Sequence, residues 1–296
     1  MVRPILERSG LKTGEDYFLA FSPEREDPGR TDHTTETIPK VVGGVDPRSG
    51  RAACAFYAAV VRAVVPVASA EIAESTKMLE NTFRAVNIAL VNELKIIFDR
   101  LGINIWDVIA ASATKPFGFM PFYPGPGWGG HCIPVDPFYL SYLARRHGCR
   151  ARFIELAGTI NTVMPQYVVT KTEQALATRG TTLRGARILI LGLSYKKDIG
   201  DPRESPAFPL IELLEQAGAQ VSYSDPFIPR MPRMRRFTTD DRCSVTVAPG
   251  TLAAYDAVII VTNHAAFNYP MILRHARLIV DTRNVYPGSH PKVIKA

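Results

Sequence analysis

Residues 188–191 read Ile188-Leu189-Ile190-Leu191 and are followed by Gly192, and this short apolar run decides the fold class. A continuous apolar run that ends at a glycine is typical of a strand buried on both faces of a parallel sheet. Further along the chain, helical and extended patterns alternate. We predict a helix over 208–217 and strands over 221–223, 257–261 and 278–281. Because such alternation is typical of a parallel α/β sheet, residues 181–296 are predicted to form a C-terminal Rossmann-like α/β domain.

The longest helical pattern covers residues 71–101. Its apolar residues recur at steps of three and four, which is typical of an amphipathic helix. They are Leu79, Phe83, Val86, Leu90, Leu94, Ile97 and Leu101. A helix of this length spans about 45 Å, which suits a spine between domains or a contact between two copies. We therefore predict a central helical domain over 71–180, with this spine helix, a second helix over 154–178 and a homodimer contact.

The first 70 residues carry strand patterns over 17–21, 40–44 and 64–68. Asp46-Pro47 predicts a helix start, with Asp46 as the cap and a helix that ends near Val64. The Ala-rich stretch 52–70 contains Arg62 and Pro66, which favour a buried helix followed by a strand over a membrane span. Residues 1–70 lack a Gly-rich phosphate loop. We interpret them as the C-terminal remnant of an N-terminal Rossmann-like domain.

The composition is that of an ordinary globular protein, with 296 residues, 46% hydrophobic and 21% charged. The net charge of +7 favours anionic partners, but the basic residues are dispersed, so no nucleic-acid partner is expected. The densest basic cluster is a solvated loop or a phosphate-facing patch, and comprises Arg230, Arg233, Arg235 and Arg236.

The cysteines are far apart in sequence, which suits a reducing compartment. Without a signal peptide or membrane span, the predicted location is cytoplasmic.

A glycine-dense run precedes a cysteine, and it contains Gly125, Gly127, Gly129, Gly130 and Cys132. Glycines remove side chains that would obstruct a substrate. Asp136-Pro137 predicts a second capped helix, running to His147, so Cys132 would lie just before a helix N-terminus that favours the thiolate. A nucleophile and a buried structural thiol remain equally open at this point. A metal site from His131, Cys132, His147 and Cys149 is not expected, because the spacing matches no zinc pattern.

Other polar residues, each taken alone, fit either a functional role or an ordinary surface position. Lys77 and Asn81 are four residues apart and share a helix face, which is typical of a solvated surface. Glu24 follows a predicted strand, where active sites of α/β proteins lie, although an ordinary acidic loop is the alternative. The segment from Gly192 to Lys197 is a strand-to-loop junction with lysines and suits a phosphorylated ligand. Asp225 and Arg283 lie at the ends of predicted strands.

Five motifs in this order together resemble the UDP-glucose/GDP-mannose dehydrogenase family of nucleotide-sugar dehydrogenases. They are Ser22-Pro23-Glu24, Lys77-x-x-x-Asn81, Gly129-Gly130-His131-Cys132-x-x-x-Asp136, Gly192-x-x-Tyr195-Lys196-x-Asp198 and Asp201-x-Arg203-Glu204-Ser205. The resemblance implies an enzyme of nucleotide-sugar metabolism and polysaccharide biosynthesis. Such an enzyme oxidises the C6 alcohol of a nucleotide sugar to a carboxylate and reduces two NAD⁺.

The resemblance also implies residue roles. Cys132 would form a thiohemiacetal and then a thioester. Lys77 and Asn81 would stabilise the oxyanion, while Asp136 and Glu24 would handle water and protons. The UDP-sugar would be bound by Gly129, Gly130, Tyr123, Lys196 and Arg283. NAD would be bound near Arg203. No metal is implied.

Within the family, the stretches 24–29 and 131–136 resemble the N-acetylhexosamine branch. The expected substrate is UDP-N-acetylglucosamine, with UDP-N-acetylmannosamine and UDP-glucose as alternatives. One departure is large, since family members begin with a dinucleotide-binding domain that carries G-x-G-x-x-G before the Ser-Pro-Glu motif. Without that loop, NAD loses its main pyrophosphate anchor. A catalytically silent UDP-sugar-binding fragment is therefore the second hypothesis.

Overall fold

The computed structural model describes residues 2–27, 29–30, 32–234, 236–237 and 240–296. The chain divides into two compact units, Met1–Phe83 and Arg84–Ala296. This boundary falls inside the longest helix, and the predicted three-part division at residues 70 and 180 stays a prediction. None of the helices in the described ranges is both long enough and apolar enough to cross a membrane.

The first unit is a small α/β layer. Its elements are α1 (Val2–Leu6), β1 (Ala20–Phe21), β2 (Lys40–Gly44), α2 (Pro47–Ala58), β3 (Val64–Val67) and the first part of α3 (Ala70–Arg100). The strand order is β1-β2-β3, with β1 antiparallel and β3 parallel to β2. Asp46 caps α2 as predicted, because its Oδ1 accepts hydrogen bonds from the backbone N–H groups of Arg48 (2.8 Å) and Ser49 (2.9 Å).

Three predictions for this unit are wrong. The strand expected over 17–21 shrinks to Ala20–Phe21, since the Tyr17 carbonyl is used in a turn with the Gly14 N–H. Helix α2 ends at Ala58 instead of near Val64, where the chain tightens into turns as the Val60 N–H bonds to the Tyr57 carbonyl. The helix is also not buried, and Phe56 is 67% exposed.

The second unit contains the remaining elements. They are the rest of α3, α4 (Ile105–Ser112), α5 (Asp136–Arg146), α6 (Arg152–Ala177), β4 (Arg187–Leu191), α7 (Ala207–Gln216), β5 (Gln220–Ser224), α8 (Pro249–Ala253), β6 (Ala257–Ile260), α9 (Tyr269–His275), β7 (Ile279–Asp281) and β8 (Val293–Lys295). The five-stranded sheet is parallel throughout, in the order β5-β4-β6-β7-β8. This confirms the predicted C-terminal α/β domain.

The β4 side chains alternate between two cores. Ile188 and Ile190 pack with α6 and α7 on one face of the sheet. Leu189 and Leu191 pack with α8 and α9 on the other. Because β4 is paired with β5 on one side and β6 on the other, the connections leave in opposite directions there. The crevice beyond the carboxyl ends of β4 and β6 is therefore the topological switch point, where doubly wound sheets bind ligands.

Helix α3 has the predicted bounds but buries a different face. Leu90, Ile97 and Leu101 of the predicted apolar stripe are 49%, 44% and 63% exposed. The buried face is instead lined by Ala85, Ala89, Asn92 and Lys95. Small alanine side chains leave room for the Asn161 amide of α6, which donates a hydrogen bond to the Ala85 carbonyl (3.3 Å).

Candidate functional site

The glycine run starts against Arg283. A Cβ atom added to Gly125 would lie only 2.5 Å from Arg283 Nη1, so a side chain at this position would have to displace the guanidinium. Arg283 is held in place, since its Nε donates to the Val261 carbonyl (2.7 Å). Removal from water lowers the pKa of Arg283 to about 10, although the Asp281 carboxylate opposes this, and the guanidinium stays charged at neutral pH.

The end of the glycine run packs against the loop that follows β4. A Cβ on Gly129 would lie 2.7 Å from Tyr195 Cβ, and one on Gly130 would lie 2.9 Å from the Tyr195 ring. The Gly130 N–H donates to the Arg203 carbonyl (3.0 Å). The space that these glycines leave is thus filled by the protein itself. Direct contact of Gly129 and Gly130 with a substrate stays a prediction.

The spacing Gly125-x-Gly127-x-x-Gly130 matches the dinucleotide fingerprint in letters only. That fingerprint acts between a strand and the helix that follows at once, where the helix N-terminus meets the pyrophosphate. Here the element that precedes the run is helix α4, which ends at Ser112, and α5 begins only at Asp136. The run is therefore a packing loop between the central helices and the C-terminal sheet.

Cys132 lies in the turn that leads into α5. It is half-buried and carries a reduced thiol, and its carbonyl accepts hydrogen bonds from the N–H groups of Val135 (3.1 Å) and Asp136 (2.8 Å). The predicted proximity to a helix N-terminus is confirmed, and that end of a helix favours an anionic sulfur. The predicted cap is wrong, because Asp136 is the first helical residue and Val135 holds the cap position without a side-chain hydrogen bond.

Arg203 contacts the same loop through its backbone, since its carbonyl accepts the Gly130 N–H (3.0 Å). Its Nη2 pairs with Asp201 Oδ2 at 2.6 Å. The Asp201 hydrogen bond raises the pKa of Arg203, and the Tyr195 and Cys132 groups add smaller electrostatic contributions. Lys196 is half-buried in the same loop after β4.

Tyr123, predicted to contact the sugar, lies just before the glycine run. Its ring stacks on Trp106 of α4, with centroids 5.7 Å apart and planes 12° apart. More than half of the Tyr123 surface remains exposed. The side chain is thus positioned on one face and accessible on the other, while its contact with a ligand stays a prediction.

Glu24, Lys77 and Asn81 belong to the first unit. Glu24 Oε1 accepts hydrogen bonds from the N–H groups of Arg25 and Glu26 (both 2.8 Å), and Oε2 is 3.3 Å from the ammonium of buried Lys40. Burial opposes ionisation, but the Glu26 N–H and Lys40 outweigh it and hold the pKa of Glu24 below its usual value. Lys77 and Asn81 are half-buried on one face of α3. Their convergence on Cys132 stays a prediction.

Two asparagines that sequence reasoning missed hold the glycine run. Asn92 is buried on α3, and its Oδ1 accepts from the Gly125 N–H (2.9 Å) while its Nδ2 donates to Asn161 Oδ1 (2.7 Å). Asn161 is buried on α6, where Pro165 cannot donate to its carbonyl. Gly127 packs against that carbonyl. The sequence did contain a signal for Asn92, because this polar residue lies on the same helix face of α3 as Ala85 and Ala89.

The other candidate clusters have local explanations. In the basic cluster, Arg230 pairs with Asp241 (3.4 Å) and Arg236 with Glu204 (2.9 Å), while Arg235 lies outside the described residues, as does Pro28 of the 24–29 motif. Within the described part of the chain, no group of three or more His, Cys, Asp and Glu residues could hold a metal ion.

Comparisons with known proteins agree with this arrangement. Residues 71–163 match the central domain of the UDP-glucose/GDP-mannose dehydrogenase family, and residues 189–288 match the UDP binding domain of the same family. A solved structure of UDP-D-ManNAc dehydrogenase from Pyrococcus horikoshii superposes with a TM-score of 0.86 and 30% identity, over 98% of this chain and 67% of that one. The chain belongs to the UDP-glucose/GDP-mannose dehydrogenase family.

Relatives within this family differ in the sugar that their names carry. The chain is 36% identical over 266 residues to a UDP-N-acetyl-D-glucosamine 6-dehydrogenase of Pseudomonas aeruginosa, which covers 89% of this chain and 61% of the relative. It is 32% identical over 291 residues to a UDP-N-acetyl-D-mannosamine dehydrogenase of Pyrococcus horikoshii, covering 96% of this chain and 65% of the relative. This family member therefore spans about three fifths of the length of those relatives.

Proposed function

We propose that the chain carries the substrate site of an NAD-dependent UDP-sugar 6-dehydrogenase that converts UDP-N-acetylglucosamine to the uronic acid. The observation that carries the proposal is the Cys132 loop, which lies between a helix N-terminus and the loops that bear Arg203, Lys196 and Arg283. UDP-N-acetylmannosamine and UDP-glucose are the alternative substrates. The N-acetylglucosamine enzyme of P. aeruginosa supports the first choice.

In this proposal the Cys132 thiol is the nucleophile. The sulfur adds to the C6 aldehyde and forms a thiohemiacetal, which keeps the aldehyde from escaping. Loss of a hydride from that carbon leaves a thioester. Water then hydrolyses the thioester to the carboxylate and returns the thiol. Lys77 and Asn81 stabilise the oxyanion, and Glu24 and Asp136 handle the protons.

The cationic groups of the C-terminal domain bind the nucleotide in this proposal. Arg283 and Lys196 are assigned to the UDP-sugar, since half-buried cations suit a diphosphate. NAD⁺ accepts the hydrides when bound, and Arg203 is assigned to it. The β2–α2 junction does not fit the pyrophosphate of NAD, because the Asp46 carboxylate already occupies the N-terminal amides of α2.

The test is NADH formation at 340 nm from NAD⁺ and each of the three UDP-sugars. Where a dinucleotide-binding domain from upstream sequence or another chain completes the NAD site, we expect turnover with UDP-N-acetylglucosamine, none with Cys132→Ala, and unchanged turnover with Cys243→Ala, which removes an exposed thiol. Carboxylate formation by Cys132→Ala contradicts the thioester route. UDP-sugar binding without NADH formation supports instead the catalytically silent binding fragment.

We also propose that the chain forms a homodimer through α3. The face of α3 that carries Leu90, Ile97 and Leu101 is apolar and exposed in the single chain. Apolar side chains that recur along one helix face are commonly covered by a partner. A second copy fits this requirement, because a two-fold axis pairs the same helix face with itself.

A further inference from the structure

Two loops meet at the switch point of the C-terminal sheet. Residues 192–200 follow β4 and carry Tyr195 and Lys196, and residues 261–265 follow β6. The Thr262 hydroxyl donates to the Ser194 carbonyl. A Cβ on Gly192 would lie 2.4 Å from Thr262 Cβ, so the two loops are in direct contact. This junction contains a fully buried histidine, His264, to which the proposed mechanism assigns no role.

The hydrogen bonds of His264 define its tautomer. Its Nδ1 accepts from the Asp198 N–H (2.9 Å), so the ring proton must be on Nε2. Nε2 then donates to Asp225 Oδ2 (3.1 Å). The ring lies between Phe227 and Phe267, with centroid distances of 5.0 Å and 5.8 Å. Both ring nitrogens are therefore used, and the ring cannot turn without losing both hydrogen bonds.

Asp225 is the fixed end of this chain of contacts. Its Oδ2 accepts from the N–H groups of Leu193 (2.7 Å) and Ser194 (3.1 Å), and its Oδ1 accepts from Phe227 (2.7 Å). Burial opposes its ionisation, but His264 and these N–H groups outweigh it, so the pKa of Asp225 is lowered. An ionised, saturated acceptor at the end of β5 thus anchors the ring.

Asp198 lies at the other end of the chain of contacts that runs from Asp225 through His264. Its φ of +59° is in the left-handed region, which a residue other than glycine adopts only when its surroundings hold it there. Two contacts hold it, the N–H bond to His264 and the hydrogen bond from the Ala265 N–H to Asp198 Oδ1 (2.7 Å). Both come from the segment after β6. That segment therefore holds the backbone at Asp198, while the start of the 195–198 segment is held by the Asp201 carbonyl, which accepts the Tyr195 N–H (3.0 Å).

We propose that His264 is a positioning residue, which holds the Tyr195–Lys196 segment in its ligand-binding conformation through the Asp198 N–H. This rests on the proposed function, in which Lys196 binds the diphosphate of a UDP-sugar. A loop ordered before the ligand arrives costs the ligand less to bind, because its conformational entropy is already lost. The acceptor at Nδ1 is the part of the ring that matters for binding, while Nε2 secures the ring to Asp225.

Two amide substitutions distinguish the contribution of His264 Nδ1 from that of Nε2. His264→Asn places an amide oxygen near the Nδ1 position and retains an acceptor for Asp198. His264→Gln places its amide near the Nε2 position and retains a donor for Asp225. Both variants remove the ring from Phe227 and Phe267. Asn is smaller than Gln by one methylene, so loss of packing alone would weaken binding more in His264→Asn, which is the opposite of the order expected here. We expect UDP binding to the whole chain, measured by titration calorimetry, to weaken about tenfold in His264→Gln and by less than about threefold in His264→Asn.

Amide hydrogen exchange of residues 195–198 gives a readout that does not depend on ligand binding. We expect faster exchange in His264→Gln than in His264→Asn, at equal protein concentration and pH. Equal exchange in the two variants overturns the positioning role. Equal loss of UDP affinity in both, or a larger loss in His264→Asn, also overturns it, since lost packing then explains the effect. If the unmodified chain does not bind UDP, the proposed function fails, and hydrogen exchange alone decides whether His264 holds the loop.

Discussion

Gly129 shows how closely the glycine run is packed on the C-terminal domain. A methyl group at this position would lie 2.7 Å from Tyr195 Cβ and 3.0 Å from the Glu204 carbonyl oxygen. Glu204 itself has a φ of +49°, so its backbone has little freedom to move away. The glycine run can therefore pack against the loops after β4 only because position 129 has no side chain.

Gly129→Ala is expected to lower the free energy of unfolding by about 1–3 kcal/mol, the usual cost of overpacking. Urea denaturation followed by circular dichroism measures it. Gly250→Ala is the control, because an added Cβ at this helical position of α8 meets nothing within 4 Å. Alanine there should raise stability by about 0.5–1 kcal/mol. Equal effects of the two substitutions would show that movement of the loop relieves the clash at Gly129.

Cys132 is expected to be protected from alkylation by bound UDP-sugar. The half-buried thiol lies beside the loops assigned to the ligand, whereas Cys149 and Cys243 are exposed. Peptide mass spectrometry after iodoacetamide treatment would measure the labelling of each thiol with and without UDP-N-acetylglucosamine. We expect protection at Cys132 of about tenfold at saturating ligand, and no protection at Cys149 or Cys243. Uniform labelling of all three with ligand present would place the ligand away from Cys132.

Helix α3 separates what periodicity can predict from what it cannot. Steps of three and four residues gave the helix bounds within one residue, because the pattern reflects local backbone geometry. They did not identify the buried face, since Leu90 and Ile97 are exposed while Asn92 and Lys95 are buried. Burial depends on which segment packs against the helix. That partner is Asn161, 69 residues away in sequence.

The exposed face of α3 is expected to hold two copies together. Leu90→Glu combined with Ile97→Glu places two carboxylates in an apolar contact and should dissociate the dimer. Light scattering coupled to size-exclusion chromatography would measure the mass, with 32.6 kDa for one chain. Gln174→Glu, which adds a carboxylate at an exposed position of α6, should leave the dimer intact. A monomer at all concentrations before substitution would contradict the dimer.

At the scale of the whole molecule, the parallel sheet was predictable and the assembly of the site was not. The runs at 188–191 and 257–261 indicate buried strands by composition alone. The short elements α4 and β8 were not predicted, and β8 offers only two apolar residues, Val293 and Ile294, between two lysines. The contact of Gly125 with Arg283 joins residues far apart in sequence, and no local pattern encodes it. Family motifs named the participants, and the three-dimensional structure supplied the contacts of the glycine run within the second unit.

The stability of the whole second unit is expected to depend on pH through Asp225. Its folded-state pKa lies below the usual value of about 3.9, so the ionised carboxylate stabilises the fold at pH values above that. The contribution is lost as the pH falls from about 5 through the folded-state pKa, because protonation removes an acceptor from the Leu193 and Ser194 N–H groups. Each unit of pKa depression corresponds to about 1.4 kcal/mol.

Urea midpoints measured from pH 7 down to pH 3 test this dependence. The unmodified chain should lose stability more steeply below pH 5 than Asp225→Asn, which has no carboxylate to protonate and starts from a lower stability at pH 7. Asp241→Asn, at an exposed surface carboxylate, should follow the slope of the unmodified chain. If Asp225→Asn follows that slope as well, the buried carboxylate does not control the acid stability of the sheet. The ionised Asp225 carboxylate would then not be what anchors the His264 ring.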